Sequence, residues 1–372
     1  MHPASVRPPR GPDRTRTGYQ RRRTSRTLLT ALGGLAALGG LAGLLVAQPH
    51  RSPSRAAPRS WPAQAPGPST SAAGSGPSGR PKLGAVRWPA DGTSAAGISG
   101  YGAVDGPGAT RPVPIASVAK LMTAYVILRD HPLPGNGPGP GITVEPSDAA
   151  AYPSQVAAGD SVVAVAPGET LTERQALAAL LLPSADNIAW ILARWDAGRQ
   201  DAFTAKMNAA ARRLGMSGTN YTDPSGLDSS TVSTAADQVR LGTAAMREPA
   251  LAALTALPAA FVPVAGVIRN TNTLLGQDGI VGLKTGSTRA AGGCVLVAAW
   301  PQVGGRRTLI VAATFGQPGT AATILPNALR AGHDLVLALD AALGAGGRAG
   351  SRDHSTGSPQ GPPLVQGPGT QQ

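Results

Sequence analysis

A serine and a lysine three positions apart could form a nucleophile and its base within residues 114–124. The letters PIASVAKLMTA predict a short turn that leads directly into an amphipathic helix. Ser117 then lies at the helix start, and Lys120 lies one turn later on the same face. A serine hydroxyl becomes a good nucleophile when a base accepts its proton, and a desolvated lysine can be that base. The segment therefore predicts a serine–lysine acylation site, although a capping serine and a solvated lysine would give the same letters.

Lysine is scarce in this chain, which gives Lys120 more weight. Arginine cannot be deprotonated in a protein, so it cannot replace lysine as a base. Where arginine is used almost everywhere, a retained lysine indicates a site that arginine cannot serve. Of the 33 basic residues, only four are lysines: Lys82, Lys120, Lys206 and Lys284. The last of these begins a second motif, Lys284-Thr285-Gly286.

Other common catalytic and metal-binding patterns are missing from the sequence. The single cysteine, Cys294, excludes an internal disulfide and a cysteine-based zinc site, and it is expected to be a buried strand residue. The five histidines form no H-E-x-x-H motif, and no serine lies in a G-x-S-x-G motif. A Ser-His-Asp hydrolase is therefore disfavoured, and neither a metal nor another cofactor is predicted.

The N-terminal part of the chain is typical of a membrane attachment. Residues 1–26 contain eight arginines and one acid, and residues 27–47 are 21 uncharged, mostly apolar residues. That length crosses a bilayer core, and the arginine-rich flank places the N-terminus in the cytoplasm. We predict a basic cytoplasmic tail (1–26), a single transmembrane signal-anchor (27–47), and a Pro/Ser/Ala-rich linker (48–85). The domain would then lie outside the cytoplasm at the cell membrane. A cleavable signal peptide is the alternative.

The positive charge of the chain belongs to these N-terminal segments. The net charge is +13, and residues 1–90 contain 14 basic residues and one acid, whereas residues 91–372 contain 19 of each. A domain with equal numbers of basic and acidic residues gives no support for nucleic-acid binding. The basic linker is suited instead to anionic lipid or cell-wall polymer.

The rest of the chain predicts a mixed α+β domain over residues 86–345, followed by a disordered tail over 346–372. Thr170 is expected to cap a helix, because Glu173 stands three residues after it. Helices, then an antiparallel sheet, then a closing helix predict a sheet flanked by helices with an all-helical lobe. Helical patterns cover 115–129, 172–182, 188–195, 201–214, 235–247 and 322–343, and strand patterns cover 95–104, 280–287, 293–300 and 307–315.

Three short motifs follow one another along this domain: Ser117-x-x-Lys120, the loop around Ser184, and Lys284-Thr285-Gly286. This order resembles the S-x-x-K, S-x-N and K-T-G trio of penicillin-recognising acyl-serine enzymes. The segments "PIASVAKLMTAYVIL", "YTDPSGLD" and "VGLKTGSTRAAGGCVLVAA" are similar to D-alanyl-D-alanine carboxypeptidases among the low-molecular-weight penicillin-binding proteins. The resemblance covers about residues 86–340 and implies a β-lactamase/DD-peptidase-like fold.

The resemblance also implies a reaction and partners. The chain would remove the terminal D-alanine from peptidoglycan stem pentapeptides through an acyl-enzyme, and β-lactam antibiotics would inhibit it. Ser117 would be acylated, Lys120 would be its general base, and Ser184 would relay a proton between Lys120 and the leaving D-alanine nitrogen. Lys284 and Thr285 would hold the terminal carboxylate of the substrate, while the backbone N–H groups of Ser117 and Ser287 would form the oxyanion hole. The expected substrate-binding residues are Asp186, Asn187, Lys284, Thr285, Gly286 and Ser287.

Asp186 departs from the S-x-N pattern, because asparagine stands one position later, at Asn187. If Asp186 faces Lys120, its charge is expected to raise the lysine pKa and slow acylation, and Asp186→Asn would accelerate it. If the turn is shifted by one residue, Asn187 points into the pocket and Asp186 caps the next helix.

Two other functions remain as alternatives, the first of them because of Asp186. One is a catalytically impaired protein that binds peptidoglycan without turnover. The other is a β-lactamase, which would need a deacylating glutamate, and Glu248 is the only glutamate between Asn187 and Lys284.

Overall fold

The computed structural model describes residues 83–352, with side chains up to residue 345. The predicted cytoplasmic tail, the signal-anchor, nearly all of the linker and residues 353–372 lie outside the described residues. Within the described range, no helix combines the length and the apolar character that a membrane span needs.

A five-stranded antiparallel sheet forms the centre of the fold. The three valine-rich runs predicted near the C-terminus are confirmed as strands. The predicted strand over 95–104 is instead a hairpin of two strands, because Gly100 and Gly102 adopt positive φ angles of +82° and +93° and turn the chain. In spatial order the strands are β2 (Gly102–Asp105), β1 (Thr93–Ile98), β13 (Ile310–Gln317), β10 (Gly292–Ala299) and β9 (Ile280–Thr288). The Lys-Thr-Gly motif therefore lies on β9, an edge strand of the sheet.

Helices cover both faces of the sheet, so its central strands are apolar at nearly every position. Successive residues of a strand point to opposite faces. On β10, Val295 and Val297 belong to the apolar cluster formed with α8 (Ile324–Arg352), whereas Leu296 belongs to the core shared with the helical lobe. Cys294 is fully buried in that core, as predicted. This double cover explains why the strands lack an alternating polar pattern.

The chain between β1 and β9 supplies the helical lobe. A 3₁₀ turn (Ala116–Ala119) leads into helix α1 (Lys120–Asp130), whose residues Leu121, Met122 and Ala124 are fully buried. The other helices of the lobe are α2 (Pro146–Ala158), α3 (Glu173–Leu181), α4 (Asp186–Ala197), α5 (Gln200–Arg213), α6 (Ala235–Ala245) and α7 (Pro249–Thr255). Short strand pairs connect them: β3 (Val113–Pro114) with β6 (Val232–Ser233), β4 (Gly141–Thr143) with β5 (Thr170–Thr172), and β7 (Ala259–Val262) with β8 (Gly266–Arg269). Between β10 and β13 a small hairpin is formed by β11 (Gln302–Val303) and β12 (Arg306–Arg307).

The start of α3 differs from the prediction that Thr170 caps it. Thr172 is the N-cap, because its Oγ1 accepts from the backbone N–H of Gln175 at 3.2 Å. The Gln175 side chain accepts in return from the backbone N–H of Thr172 at 2.9 Å. Thr170 lies in β5 and pairs with Thr143. The prediction was wrong because two T-x-x-E/Q sequences overlap here, and the second forms the capping box.

The structure also extends the predicted domain boundaries of 86–345 at both ends. Leu83 packs against the cluster between the sheet and α8, and the backbone N–H of Gly84 donates to the carbonyl of Ala342 at 3.1 Å. Helix α8 continues to Arg352, into the predicted tail. No proline interrupts the sequence there before Pro359, so nothing forces the helix to end earlier.

Candidate active site

Ser117 and Lys120 are in direct contact. Ser117 lies in the 3₁₀ turn, just after Ala116, whose φ of +47° makes the chain turn sharply. Lys120 is the first residue of α1 and is fully buried. Its Nζ lies 2.7 Å from Ser117 Oγ. The predicted spacing therefore places the amine within hydrogen-bond distance of the hydroxyl.

Two further acceptors fix the direction of the Lys120 amine. Its Nζ lies 2.7 Å from Asp186 Oδ1 and 3.0 Å from the carbonyl oxygen of Ser225. A neutral amine has two N–H groups and one lone pair. Because the carbonyl and an ionised Asp186 can only accept, they take the two N–H groups and leave the lone pair for the Ser117 hydroxyl. The same three contacts also satisfy the ammonium form, which donates to all three oxygens.

The pKa of Lys120 is lowered from its usual value. The largest cause is burial, because it removes the ammonium from water; attraction to Asp186, and more weakly to Asp223 and Asp160, opposes the shift. The expectation that Asp186 raises this pKa is confirmed, but desolvation outweighs the carboxylate, so the net shift of the pKa is downward. The neutral amine is more accessible near neutral pH than that of an exposed lysine.

Asp186, rather than Asn187, takes the position that faces Lys120. Its Oδ2 accepts from the backbone N–H of Ser161 at 3.1 Å, while Oδ1 contacts the lysine. The Asn187 side chain points elsewhere: it donates to the carbonyl of Val163 at 2.8 Å and accepts from the N–H of Val163 at 3.2 Å. The one-residue shift is therefore wrong. Asp186 makes no side-chain cap either, since α4 has Ala185 as its N-cap.

Ser184 contacts the second lysine. Its Oγ accepts from Lys284 Nζ at 3.0 Å, and Lys284 also donates to the carbonyl of Thr285 at 2.9 Å. Ser184 has a φ of +69°, which is uncommon for a residue with a side chain and is typical of functional sites. Burial, followed by repulsion from Lys120, lowers the pKa of Lys284 well below its usual value. Within the described residues, no hydrogen bond joins Ser184 to Lys120.

Thr271 contributes to the site and was not found from the sequence. Its Oγ1 lies 2.6 Å from Thr285 Oγ1, and both its backbone N–H and its hydroxyl donate to the carbonyl of Leu182, at 3.0 and 3.2 Å. Thr271 thereby links the Thr285 hydroxyl to the chain just before Ser184. It lies far from every motif along the sequence, so no pattern could have indicated it.

The segment "DPSGL" forms a turn that supplies the third partner of Lys120. One oxygen of the Asp223 carboxylate, Oδ1, accepts from the backbone N–H groups of Ser225 and Gly226 at 2.7 and 2.6 Å. Gly226 adopts a φ of +79°, and a Cβ there would lie 1.9 Å from the carbonyl oxygen of Ala116. The turn therefore packs against the loop that carries Ser117 and presents the Ser225 carbonyl to Lys120.

Gly286 brings β9 against the turn that carries Ser117. A Cβ at this position would lie 2.8 Å from the backbone nitrogen of Ser117 and 3.0 Å from that of Val118. Only glycine therefore leaves these two backbone nitrogens uncovered. Ser287 follows on the same strand and is half-buried. Among residues 83–345, no group of three or more His, Cys, Asp or Glu side chains is arranged to hold a metal ion.

The sheet edge, the serine–lysine pair and the buried second lysine define a serine acyl-transfer type of site on a mixed α+β fold. Residues 107–315, more than half of the chain, match the family model described as D-alanyl-D-alanine carboxypeptidase, peptidase family S11. All three motifs fall within the matched range. The chain therefore belongs to the D-alanyl-D-alanine carboxypeptidase family and has its penicillin-binding/β-lactamase fold.

Individual relatives agree with this assignment. The chain is 44% identical over 161 residues to D-alanyl-D-alanine carboxypeptidase DacB2 of Mycobacterium tuberculosis, a match covering 41% of this chain and 54% of the relative. It is 35% identical over 192 residues to a D-alanyl-D-alanine endopeptidase of Pseudomonas aeruginosa, covering 50% of this chain and 59% of the relative. The chain thus spans just over half the length of these two proteins.

A solved structure is similar over a larger share. The crystal structure of a D-alanyl-D-alanine carboxypeptidase from Mycobacterium tuberculosis is 33% identical, with a TM-score of 0.58, and the match covers 69% of this chain and 96% of that one.

Proposed function

We propose that the protein is a serine-type DD-peptidase that forms an acyl-enzyme on Ser117, and that it removes the terminal D-alanine from peptidoglycan stem pentapeptides. The observation that carries this proposal is the 2.7 Å contact between Ser117 Oγ and the amine of Lys120. That amine is fully buried and its pKa is lowered, so it can accept the serine proton near neutral pH.

In the first step, the Ser117 oxygen attacks the carbonyl carbon of the D-alanyl-D-alanine bond while its proton moves to Lys120. Negative charge then develops on the former carbonyl oxygen. The backbone N–H groups of Ser117 and Ser287 are the donors proposed for that oxygen, and the glycine at position 286 leaves the first of them accessible. A donor of this kind contributes about 10²–10³ to the rate.

In the second step, the C–N bond breaks and the leaving amine takes up a proton. Ser184 is proposed to relay the proton that Lys120 took from Ser117: its hydroxyl donates to the leaving nitrogen and is reprotonated from Lys120, which becomes neutral again. Lys284 Nζ, which donates to Ser184 Oγ at 3.0 Å, holds that hydroxyl in place. Water then attacks the ester on Ser117 while Lys120 accepts a proton from the water and passes it to the Ser117 oxygen, so that the peptide leaves with a new carboxyl group and the serine is restored.

The terminal carboxylate of the substrate is proposed to bind at Lys284 and Thr285. A buried ammonium and a hydroxyl on an edge strand suit a carboxylate, and hydrogen bonds that involve a charged group contribute about 1.5–3 kcal/mol. The substrate's approach makes the ammonium form of Lys284 more favourable, because the anion compensates for its burial. This requirement favours a carboxypeptidase, which cleaves next to a free C-terminus.

Two further parts of the proposal concern partners and location. β-Lactam antibiotics are proposed to acylate Ser117, since they present a carboxylate beside a reactive amide. The uncharged segment 27–47 and the arginine-rich residues before it support a single-pass anchor in the cell membrane, with the domain outside the cytoplasm.

The release of free D-alanine tests the proposed reaction. The full-length chain in detergent is incubated either with a stem pentapeptide ending in D-alanyl-D-alanine or with a cross-linked peptide dimer, and the products are separated by chromatography. We expect D-alanine from the pentapeptide and little cleavage of the dimer. Cleavage of the dimer alone would assign an endopeptidase instead, and cleavage of neither would indicate a binding protein.

A further inference from the structure

We propose that Asp186 is a positioning residue that directs Lys120 at Ser117, and that the backbone of Ser161 makes a carboxylate, rather than an amide, the fitting side chain at position 186. This inference rests on the proposed function. It also reverses the expectation that the aspartate is an impaired version of the S-x-N asparagine.

Two hydrogen-bond donors face the side chain at position 186. Lys120 Nζ lies 2.7 Å from Asp186 Oδ1, and the backbone N–H of Ser161 lies 3.1 Å from Oδ2. A carboxylate accepts with both oxygens, whereas an asparagine side chain has one accepting oxygen and one donating NH₂ group. Asparagine at 186 would therefore set its NH₂ group against the Ser161 N–H or against Lys120.

Neither orientation of an asparagine preserves the site. With its NH₂ group toward Ser161, the buried amide donor faces another donor, and neither N–H group has an acceptor. With its NH₂ group toward Lys120, the amide donates to the lone pair of the amine. That lone pair is then no longer available for the Ser117 hydroxyl.

The Ser161 N–H cannot turn away easily, because residues 160–165 are tied to the start of α4. The backbone N–H of Asp186 donates to the carbonyl of Ser161 at 2.6 Å. The next side chain, Asn187, holds the backbone of Val163 through two hydrogen bonds. The adjacent Asp186 and Asn187 thus act together: the asparagine fixes the segment, and the segment orients the aspartate.

Four charged groups surround Lys120 and set the pH dependence of the reaction. They are Asp186 at the start of α4, Asp160 after α2, Asp223 in the turn before β6, and Lys284 on β9. Asp186 is in contact with the lysine, whereas Asp160 acts on it only through space. Removing the charge at 186 lowers the pKa of Lys120 further, because the largest favourable interaction of the ammonium is lost.

The test measures the rate of acylation by penicillin against pH for the full-length chain and three variants, Asp186→Asn, Asp186→Ala and Asp160→Asn. We expect Asp186→Asn to lower the plateau rate by about 10- to 100-fold, since small misplacements of a catalytic group have effects of this size. The acid limb of its pH–rate profile, where the rate falls as Lys120 becomes protonated, should also move to lower pH. A merely structural defect would not produce this shift. Asp186→Ala should be at least as active as Asp186→Asn, because alanine introduces no opposing donor.

Asp160→Asn is the matched control. It removes a nearby negative charge and leaves both hydrogen bonds of Asp186 in place, so its plateau should stay within about threefold of the wild type, with a smaller shift of the acid limb. A plateau for Asp186→Asn that equals or exceeds the wild type would overturn the inference. If circular dichroism shows that Asp186→Asn is unfolded, a wild-type plateau rate for Asp186→Ala would overturn the inference equally. A wild type that is not acylated would instead refute the proposed function.

Discussion

Replacing Lys120 by arginine is expected to slow the acylation of Ser117 by about 10²- to 10⁴-fold, which is the usual contribution of a general base. Alanine at the same position should have a similar effect. Arginine keeps the positive charge and can still pair with Asp186, but it has no lone pair that could accept the serine proton. The variant therefore separates the charge of Lys120 from its basicity. Binding of a fluorescent penicillin followed over time measures the rate.

Lys206→Arg is the matched control for this prediction. Although Lys206 is one of the four lysines, its Nζ only donates to Asp130 on α1 and Asp196 on α4, at 2.8 and 2.7 Å, so this position needs a cation and not a base. We expect that variant to be acylated within about twofold of the wild type, because arginine keeps the positive charge that both carboxylates pair with. Acylation of Lys120→Arg at the same speed as the control would show that another group is the base.

Replacing Gly286 by alanine is expected to lower the acylation rate by about 10²- to 10³-fold, the loss seen when an oxyanion donor is removed. The new methyl group would lie 2.8 Å from the backbone nitrogen of Ser117 and 3.0 Å from that of Val118. Backbone cannot yield as a flexible side chain can, so β9 and the 3₁₀ turn that carries Ser117 must move apart. The distance from the Ser117 amide to the substrate carbonyl then increases.

Gly344→Ala provides the comparison for this second prediction. A Cβ at Gly344 meets no other atom within 4 Å, and the residue lies in α8, where alanine is the better helix former. That variant should keep the wild-type acylation rate. If Gly286→Ala also keeps it, the close contact between β9 and the 3₁₀ turn that carries Ser117 is not needed for the reaction.

Local spacing is enough to predict some of the site from the sequence. Ser117 and Lys120 are three residues apart on a continuous turn and helix, so their contact follows from helical geometry. The valine-rich runs near the C-terminus are also correct as strands, because both faces of the sheet are covered and each run is long. The position of the Lys284 motif on a strand follows from the same pattern.

Contacts between distant segments could not be predicted in this way. The sequence leaves open whether Asp186 or Asn187 faces Lys120, and the choice depends on Ser161 and Val163, about 25 residues earlier. Thr271 reaches Thr285 only because the chain folds back on itself after β8. The net direction of the Lys120 pKa depends on complete burial, which no local pattern shows.

The central claim is that Ser117 becomes acylated, and the mass of the protein after reaction with penicillin tests it most directly. The full-length chain in detergent and its Ser117→Ala variant are incubated with penicillin, and both are measured by intact-mass spectrometry and peptide mapping. We expect the wild type to gain the mass of one penicillin on the peptide that contains Ser117, and the variant to gain none. No adduct after prolonged incubation, or an adduct on another residue, would contradict the account.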